Sequence, residues 1–164
     1  MTPPDQKYDY SHYNQYDVLR LNWAYWAITL FLSRHLILFM LIGVSAGRDG
    51  GGPRNPTLAA LLDPVLFFSD VPALVLLFVA GARLPKSGRL PRFLWRQGRL
   101  LLLLSTALYI VLLFWQQQFE FGKIDVVTWG LVALNVALMA YVIKSSYMAD
   151  LFMQFPSPDF DSGK

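Results

Sequence analysis

The 164-residue sequence contains no cysteine, only two histidines, and charged residues at just 15%. Without cysteine there is no disulfide framework, no thiolate metal site and no cysteine nucleophile. His12 and His35 are too few for a zinc site, which takes three or four ligands, and only His35 lies in an apolar segment where a membrane haem would sit. No glycine-rich phosphate loop, serine-nucleophile motif or pair of carboxylates is present, so no cofactor, metal or catalytic residue is assigned. The shortage of charge excludes more. Soluble domains carry about 25% charged residues, and disordered chains are poor in apolar ones.

What is present is hydrocarbon: 55% hydrophobic residues and a mean hydropathy of +0.39. A domain this small has too much surface for its volume to hide that apolar area from water. A lipid bilayer is therefore the expected solvent for much of the chain. Four apolar runs predict spans at about 22–46, 64–82, 93–115 and 124–143. About 20 residues of helix cross a hydrocarbon core of about 30 Å. The runs are continuous rather than alternating, which excludes a membrane barrel, and only a helix satisfies its own backbone in lipid. Trp95 and Trp115, about 30 Å apart on one helix, have the spacing of interfacial anchors for the third span. The first run is too long for a cleaved signal peptide and carries Arg34-His35 in its middle. The expected fold is thus all-α, a single four-helix membrane domain.

Lysine and arginine set the orientation of such a domain. The loop at 83–99 holds Arg83, Lys86, Arg89, Arg92, Arg96 and Arg99 and no acid. It is expected to be cytoplasmic, which puts the tails at 1–21 and 144–164 on the same side. Lys7, Arg20, Lys144 and Lys164 agree, while the outer loops hold only Arg48, Arg54 and Lys123. The six loop cations also suit anionic lipid head groups. With no nucleic-acid motif and cations set against the membrane, nucleic acid is not an expected partner. The tail tyrosines Tyr8, Tyr10, Tyr13 and Tyr16 read as interfacial aromatics. Leu58, Leu61, Leu62, Val65 and Leu66 recur at helical spacing and predict a short interfacial helix before the second span.

Polar groups at membrane depth are where function is sought, because burying them is costly. Arg34 lies mid-span, and its obvious partner is Asp70. With Ala46 and Pro64 level at one surface of straight helices, Arg34 is about 18 Å deep and Asp70 about 9 Å deep. Their side chains also lean apart, so the ion pair is disfavoured. Pro72 removes the amide that would bond the Phe68 carbonyl, which predicts a kink or restart with Ser69 or Asp70 as the cap of the following helix. Arg34, His35, Ser105, Thr106 and Asn135 fall at matching depth and form a predicted midplane polar layer. Such a layer either bonds the helices together or lines a small wet cavity. Gly43 and Gly47 form a GxxxG pair for helix packing on another face of the first span.

Further patterns recur along the chain. The run Tyr16-Asp17-Val18-Leu19-Arg20-Leu21 precedes a span with Trp26, Arg34-His35 and Gly43-Val44-Ser45. Val71-Pro72-Ala73, Gly81-Ala82-Arg83, Trp95-Arg96 and an ending with Tyr141, Ser145-Ser146, Asp150 and Phe155-Pro156 follow. Together these resemble the YfeZ-like family of bacterial inner-membrane proteins. The resemblance implies that location and a multi-span helical fold, and no chemistry. It does not extend to an acid at position 70 or to the glycine run at 47–53. The expected function is that of a non-enzymatic accessory or structural membrane protein, working through helix contacts with itself or a partner. The second reading is a small transporter or proton-coupled element built on Arg34, His35 and Asn135.

Overall fold

A computed structural model describes residues 7–49, 63–116 and 125–157. The described residues are helical apart from turns and one bridge between Tyr13 and Leu19. The chain enters through a short 3-10 turn, Tyr10–His12. Helices α1 (Trp23–Leu32), α2 (Arg34–Asp49), α3 (Pro64–Gly81), α4 (Arg89–Arg96), α5 (Gly98–Gln116), α6 (Val126–Lys144) and α7 (Ser146–Met153) follow.

Capping side chains start most of them. Asn22 accepts from the Tyr25 amide at α1, Asp63 from Val65 at α3, Asp125 from Thr128 at α6, and Ser145 from Met148 at α7. Helices α3, α5 and α6 are each long and apolar enough to cross a membrane. A fourth span exists if α1 and α2 are counted as one broken crossing. Their outward faces carry large apolar side chains, with Phe78, Trp115 and Val126 all exposed. Water would penalise such a surface and lipid does not.

The elements depart from the sequence reading in four places. The first span is not one straight helix: α1 ends at Leu32 and α2 leaves it at 67°. The third span begins at Gly98 rather than near Phe93, because the chain breaks at Gln97 and residues 89–96 form a separate helix. Trp95 is consequently fully buried and donates from Nε1 to the Leu151 carbonyl. It is a core residue and not an interfacial anchor. Pro72 lies inside a continuous α3 whose cap is Asp63, so neither Ser69 nor Asp70 caps a restarted helix there. The Gly43–Gly47 contacts, the helix expected around Leu58 to Leu62, and the cations Arg54, Lys123 and Lys164 lie outside what is described.

Helix α3 is the centre, packed on α5 and flanked by α1 and α2. One core, including Tyr25, Leu76, Leu102 and Phe152, fills the end where α1 and α5 start and α3 stops. A smaller cluster of Leu66, Tyr109, Leu113 and Val132 lies toward the opposite end. Helix α6 fully buries Val132, Asn135 and Val142, with Leu138 half-buried against the core, and much of its remaining surface is exposed. At the first end the tails are not free. Arg83 donates to the Leu19 carbonyl at 2.7 Å and the Gln154 carbonyl at 2.9 Å, with its guanidinium over the Trp95 ring. Gln154 Oε1 accepts from the Leu19 amide at 2.8 Å. The N-terminal segment, the end of α3, α4 and the C-terminal segment are thereby tied into one polar knot. The tail tyrosines join it: Tyr8 donates to Asp150 and packs edge-on against Tyr147.

Candidate functional site

The break between α1 and α2 bends the chain by 67° inside an apolar segment. A broken helix leaves the first amides of its second half without intrahelical acceptors. Here Asp70, reaching from the middle of α3, accepts from the Leu36 amide through Oδ2 at 2.9 Å. It caps α2 from another helix. Thr29 weakens the last turn of α1 by donating to the Tyr25 carbonyl at 2.6 Å, the kind of back-bond that bends helices. Helix α1 is 10 residues long, or about 15 Å, which is roughly half the hydrocarbon thickness.

The second carboxylate oxygen completes a buried pair. Asp70 Oδ1 lies 2.8 Å from His35 Nδ1, and both side chains have zero exposure. With Nδ1 turned to Asp70, His35 Nε2 lies on the far side of the ring from the carboxylate. Ser69 Oγ donates to the Leu66 carbonyl and also lies 3.3 Å from Asp70 Oδ1. Ser105 on α5 donates to the Ser69 carbonyl at 2.5 Å, holding α5 against α3 one residue from the acid.

Aromatic stacking forms the remaining wall. The His35 ring stacks on Tyr109 with centroids 5.5 Å apart and planes 24° apart. Arg34 places its guanidinium 4.4 Å from the Tyr109 centroid and 4.3 Å from that of Phe31. Its Nη1 donates to the Phe31 carbonyl at 3.0 Å. Arg34 thus meets aromatic faces and a carbonyl, and Asp70 is occupied by His35 and Leu36. Buried and without a hydrogen-bond partner among the described residues are His35 Nε2 and Arg34 Nε and Nη2.

Of the predicted polar layer, Arg34, His35 and Ser105 come together at the break. Thr106 donates back to the Leu102 carbonyl on its own helix, and Asn135 Nδ2 to Leu131 on its own. Both are buried but neither bonds to the dyad, and Asn135 Oδ1 has no partner among the described residues. Tyr109 was not predicted. The available signal was its position four residues after Ser105, on the same helix face.

The six loop cations separate into two groups. Arg83 is buried in the knot, Arg99 bonds to the Val142 and Ile143 carbonyls at the end of α6, and Arg92 bonds to the Pro85 and Ser87 carbonyls. These three hold protein carbonyls rather than standing free for lipid. Lys86, Arg89 and Arg96 remain exposed. Among the described residues, no cluster of three histidine, aspartate or glutamate side chains could hold a metal ion.

A family model described as "Protein of unknown function (DUF2919)" matches residues 8–154. The chain belongs to that family, and the matched stretch contains all seven helices, the break and the knot. No curated protein matches the sequence, and no solved structure does.

Proposed function

We propose that this member of the DUF2919 family is a small transporter or proton-coupled element working at the break in its first span. One observation carries the reading: a fully buried aspartate–histidine pair sits at a helix break, with the far nitrogen of the histidine unpartnered among the described residues. Ionisable groups at membrane depth are rare and mark proton or substrate paths. Broken helices at mid-depth give transporters polar backbone where a solute can bind. Histidine is the side chain that exchanges a proton near neutral pH. Asp70 fixes its ring, leaving Nε2 as the site of exchange. Arg34 supplies a positive charge beside it and favours an anion as any co-transported solute.

The location that goes with this is a bacterial inner membrane with both termini cytoplasmic, supported by the YfeZ-like resemblance and the cation bias at 83–99. The activity is non-enzymatic. The test is reconstitution in liposomes carrying a pH-sensitive dye, with an imposed proton gradient and a panel of small anions. A flux lost in His35→Gln and Asp70→Asn, with helical content retained, supports the reading. A parent chain that gives no flux above empty liposomes sinks it.

A second reading is favoured by α6. Gly130, Ala133, Ala137 and Ala140 recur at three- and four-residue spacing, and all are exposed. A side chain added at Gly130 would meet no atom within 4 Å. Small residues let membrane helices approach closely, so an accessory subunit would meet its partner, or a second copy, along this line. Mild-detergent purification distinguishes the two: a stoichiometric partner lost on Ala137→Leu favours the accessory role, and a clean monomer counts against it.

A further inference from the structure

Helix α4 lies at the end of the bundle where α3 stops and α5 starts, which is where these two apolar helices would leave a bilayer that they cross. Arg89, Arg92, Phe93 and Arg96 recur at i, i+3, i+4 and i+7, so one stripe of the helix carries three cations and an aromatic ring. This stripe faces α7 across a cavity of about 620 Å³, whose wall includes the three arginines, Phe93, Phe152 and Met153, and no acid.

The three guanidiniums are not equivalent. Arg92 is held by the Pro85 and Ser87 carbonyls and lies over the Phe155 ring. Arg89 and Arg96 have no hydrogen bond or ion pair among the described residues. Like charges three to four residues apart on a helix repel one another, and nothing in the cavity wall compensates them. An anion is the missing component, and planar guanidiniums favour phosphate oxygens. The apolar part of the wall decides which phosphate. Phe93 and Met153 are 60% and 77% exposed beside the cations. A free phosphate ion would leave both in water, whereas a phospholipid offers phosphate and hydrocarbon within one molecule at this depth.

We propose that the groove between α4 and α7 binds the phosphate head group of an anionic phospholipid. Arg89 and Arg96 hold the phosphate oxygens, and Phe93 and Met153 cover the first carbons of an acyl chain. The groove is separate from the break site, and the assignment stands or falls independently of it.

The test titrates the full chain, delipidated in neutral detergent, with phosphatidylglycerol or phosphatidylcholine and reads bound lipid by native mass spectrometry. The parent chain is expected to prefer phosphatidylglycerol. Arg89→Gln/Arg96→Gln is expected to lose about 30-fold in that affinity, from two cations at about 1 kcal/mol each. Arg89→Lys/Arg96→Lys, which keeps the charge, is expected to retain the preference. Phe93→Ser, which keeps all three cations, is expected to weaken lipid binding and serves if the double variant does not fold. Equal binding of the two lipids, or a double glutamine variant that binds as the parent does, overturns the proposal. Full displacement of phosphatidylglycerol by 10-fold molar excess of inorganic phosphate would make this a free-phosphate site and overturn the lipid assignment.

Discussion

Asp70 divides its carboxylate between His35 Nδ1 at 2.8 Å and the Leu36 amide at 2.9 Å, so one side chain both orients the buried imidazole and starts the helix that carries it. Bend and dyad are therefore one feature. If the carboxylate is lost, the α2 amide and the histidine lose their acceptor together.

Asp70→Ala should accordingly destabilise the protein by about 1–3 kcal/mol, the cost of leaving buried donors unsatisfied. Interhelical hydrogen bonds in bilayers average only about 0.6 kcal/mol, because the unfolded chain in lipid also finds partners. A value above that average would reflect the cap added to the pair. Unfolding in bicelles gives the magnitude. Hydrogen exchange at residues 33–37 should rise first, and unchanged protection there would show that Asp70 does not hold the break.

Arg83 should matter more for order at the tail end of the bundle than for the helices themselves. Burial pushes its guanidinium down to about 10, still well above neutral, so it remains charged when it donates to Leu19 and Gln154. Arg83→Ala removes two charge-assisted bonds of about 1.5–3 kcal/mol each and the contact with Trp95. Lysine, with its single ammonium, cannot reproduce the fork, so Arg83→Lys should recover only part of the loss. Limited proteolysis near residues 7–20 is the readout: both variants should be cut faster than the parent, alanine the more so.

Helices α3, α5 and α6 were legible because an uninterrupted apolar run needs no tertiary information. The break at Ser33 was not. Its local signal is one serine, and the acid that stabilises it lies 34 residues beyond Leu36 in the chain. The depth argument that separated Arg34 from Asp70 assumed a straight first span. The 67° bend removes that assumption and brings His35, rather than Arg34, to the acid. Trp95 misled for a related reason: its spacing from Trp115 counts only if one helix carries both, and Gln97 interrupts it. Hydropathy also counts charges without seeing their acceptors, so Arg83, Arg92 and Arg99 read as free cations while each holds protein carbonyls.

The Lys7–Asp150 bridge at 2.8 Å, with Tyr8 also donating to Asp150, makes tail docking pH-dependent. Hydrogen bonds from Lys7 and Tyr8 hold the Asp150 carboxyl below its ordinary value of 3.8. A depressed acid contributes stability that is present above 3.8 and is lost as pH falls through the folded-state value. The same bridge raises Lys7 above 10.5, so its share persists below that value and is lost at higher pH. Tail docking should be constant between these limits and loosen outside them. Lys7 is exposed and Asp150 only half-buried, so the effect is small and salt-sensitive. Exchange at residues 7–13, measured at pH 3 and pH 7 in low and high salt, should show it. Asp150→Asn should abolish the difference between the two pH values, and a difference that survives in this variant would assign it to another group.

Gly98, the first residue of α5, lies against the Phe152 side chain of the tail helix. A Cβ built there would collide with the Phe152 ring and lie 3.1 Å from Leu76 Cδ2. Phe152 cannot easily yield, since it is 2% exposed and wedged between Trp95 and Tyr25, with ring centroids 5.0 and 6.1 Å away. Leu76 is fully buried as well. Alanine is the better helix former by about 1 kcal/mol in an exposed helix, so an unobstructed site would gain from Gly98→Ala. Overpacking a filled core costs about 1–3 kcal/mol, and here it should win. Gly98→Ala is therefore expected to lower the melting temperature and to shift fluorescence of the buried Trp95 as α7 is pushed outward. Removing the obstruction should reverse the sign: in a Phe152→Leu background, the same Gly98→Ala change should be neutral or stabilising. A Gly98→Ala protein as stable as the parent would show that α7 packs more loosely than these contacts require.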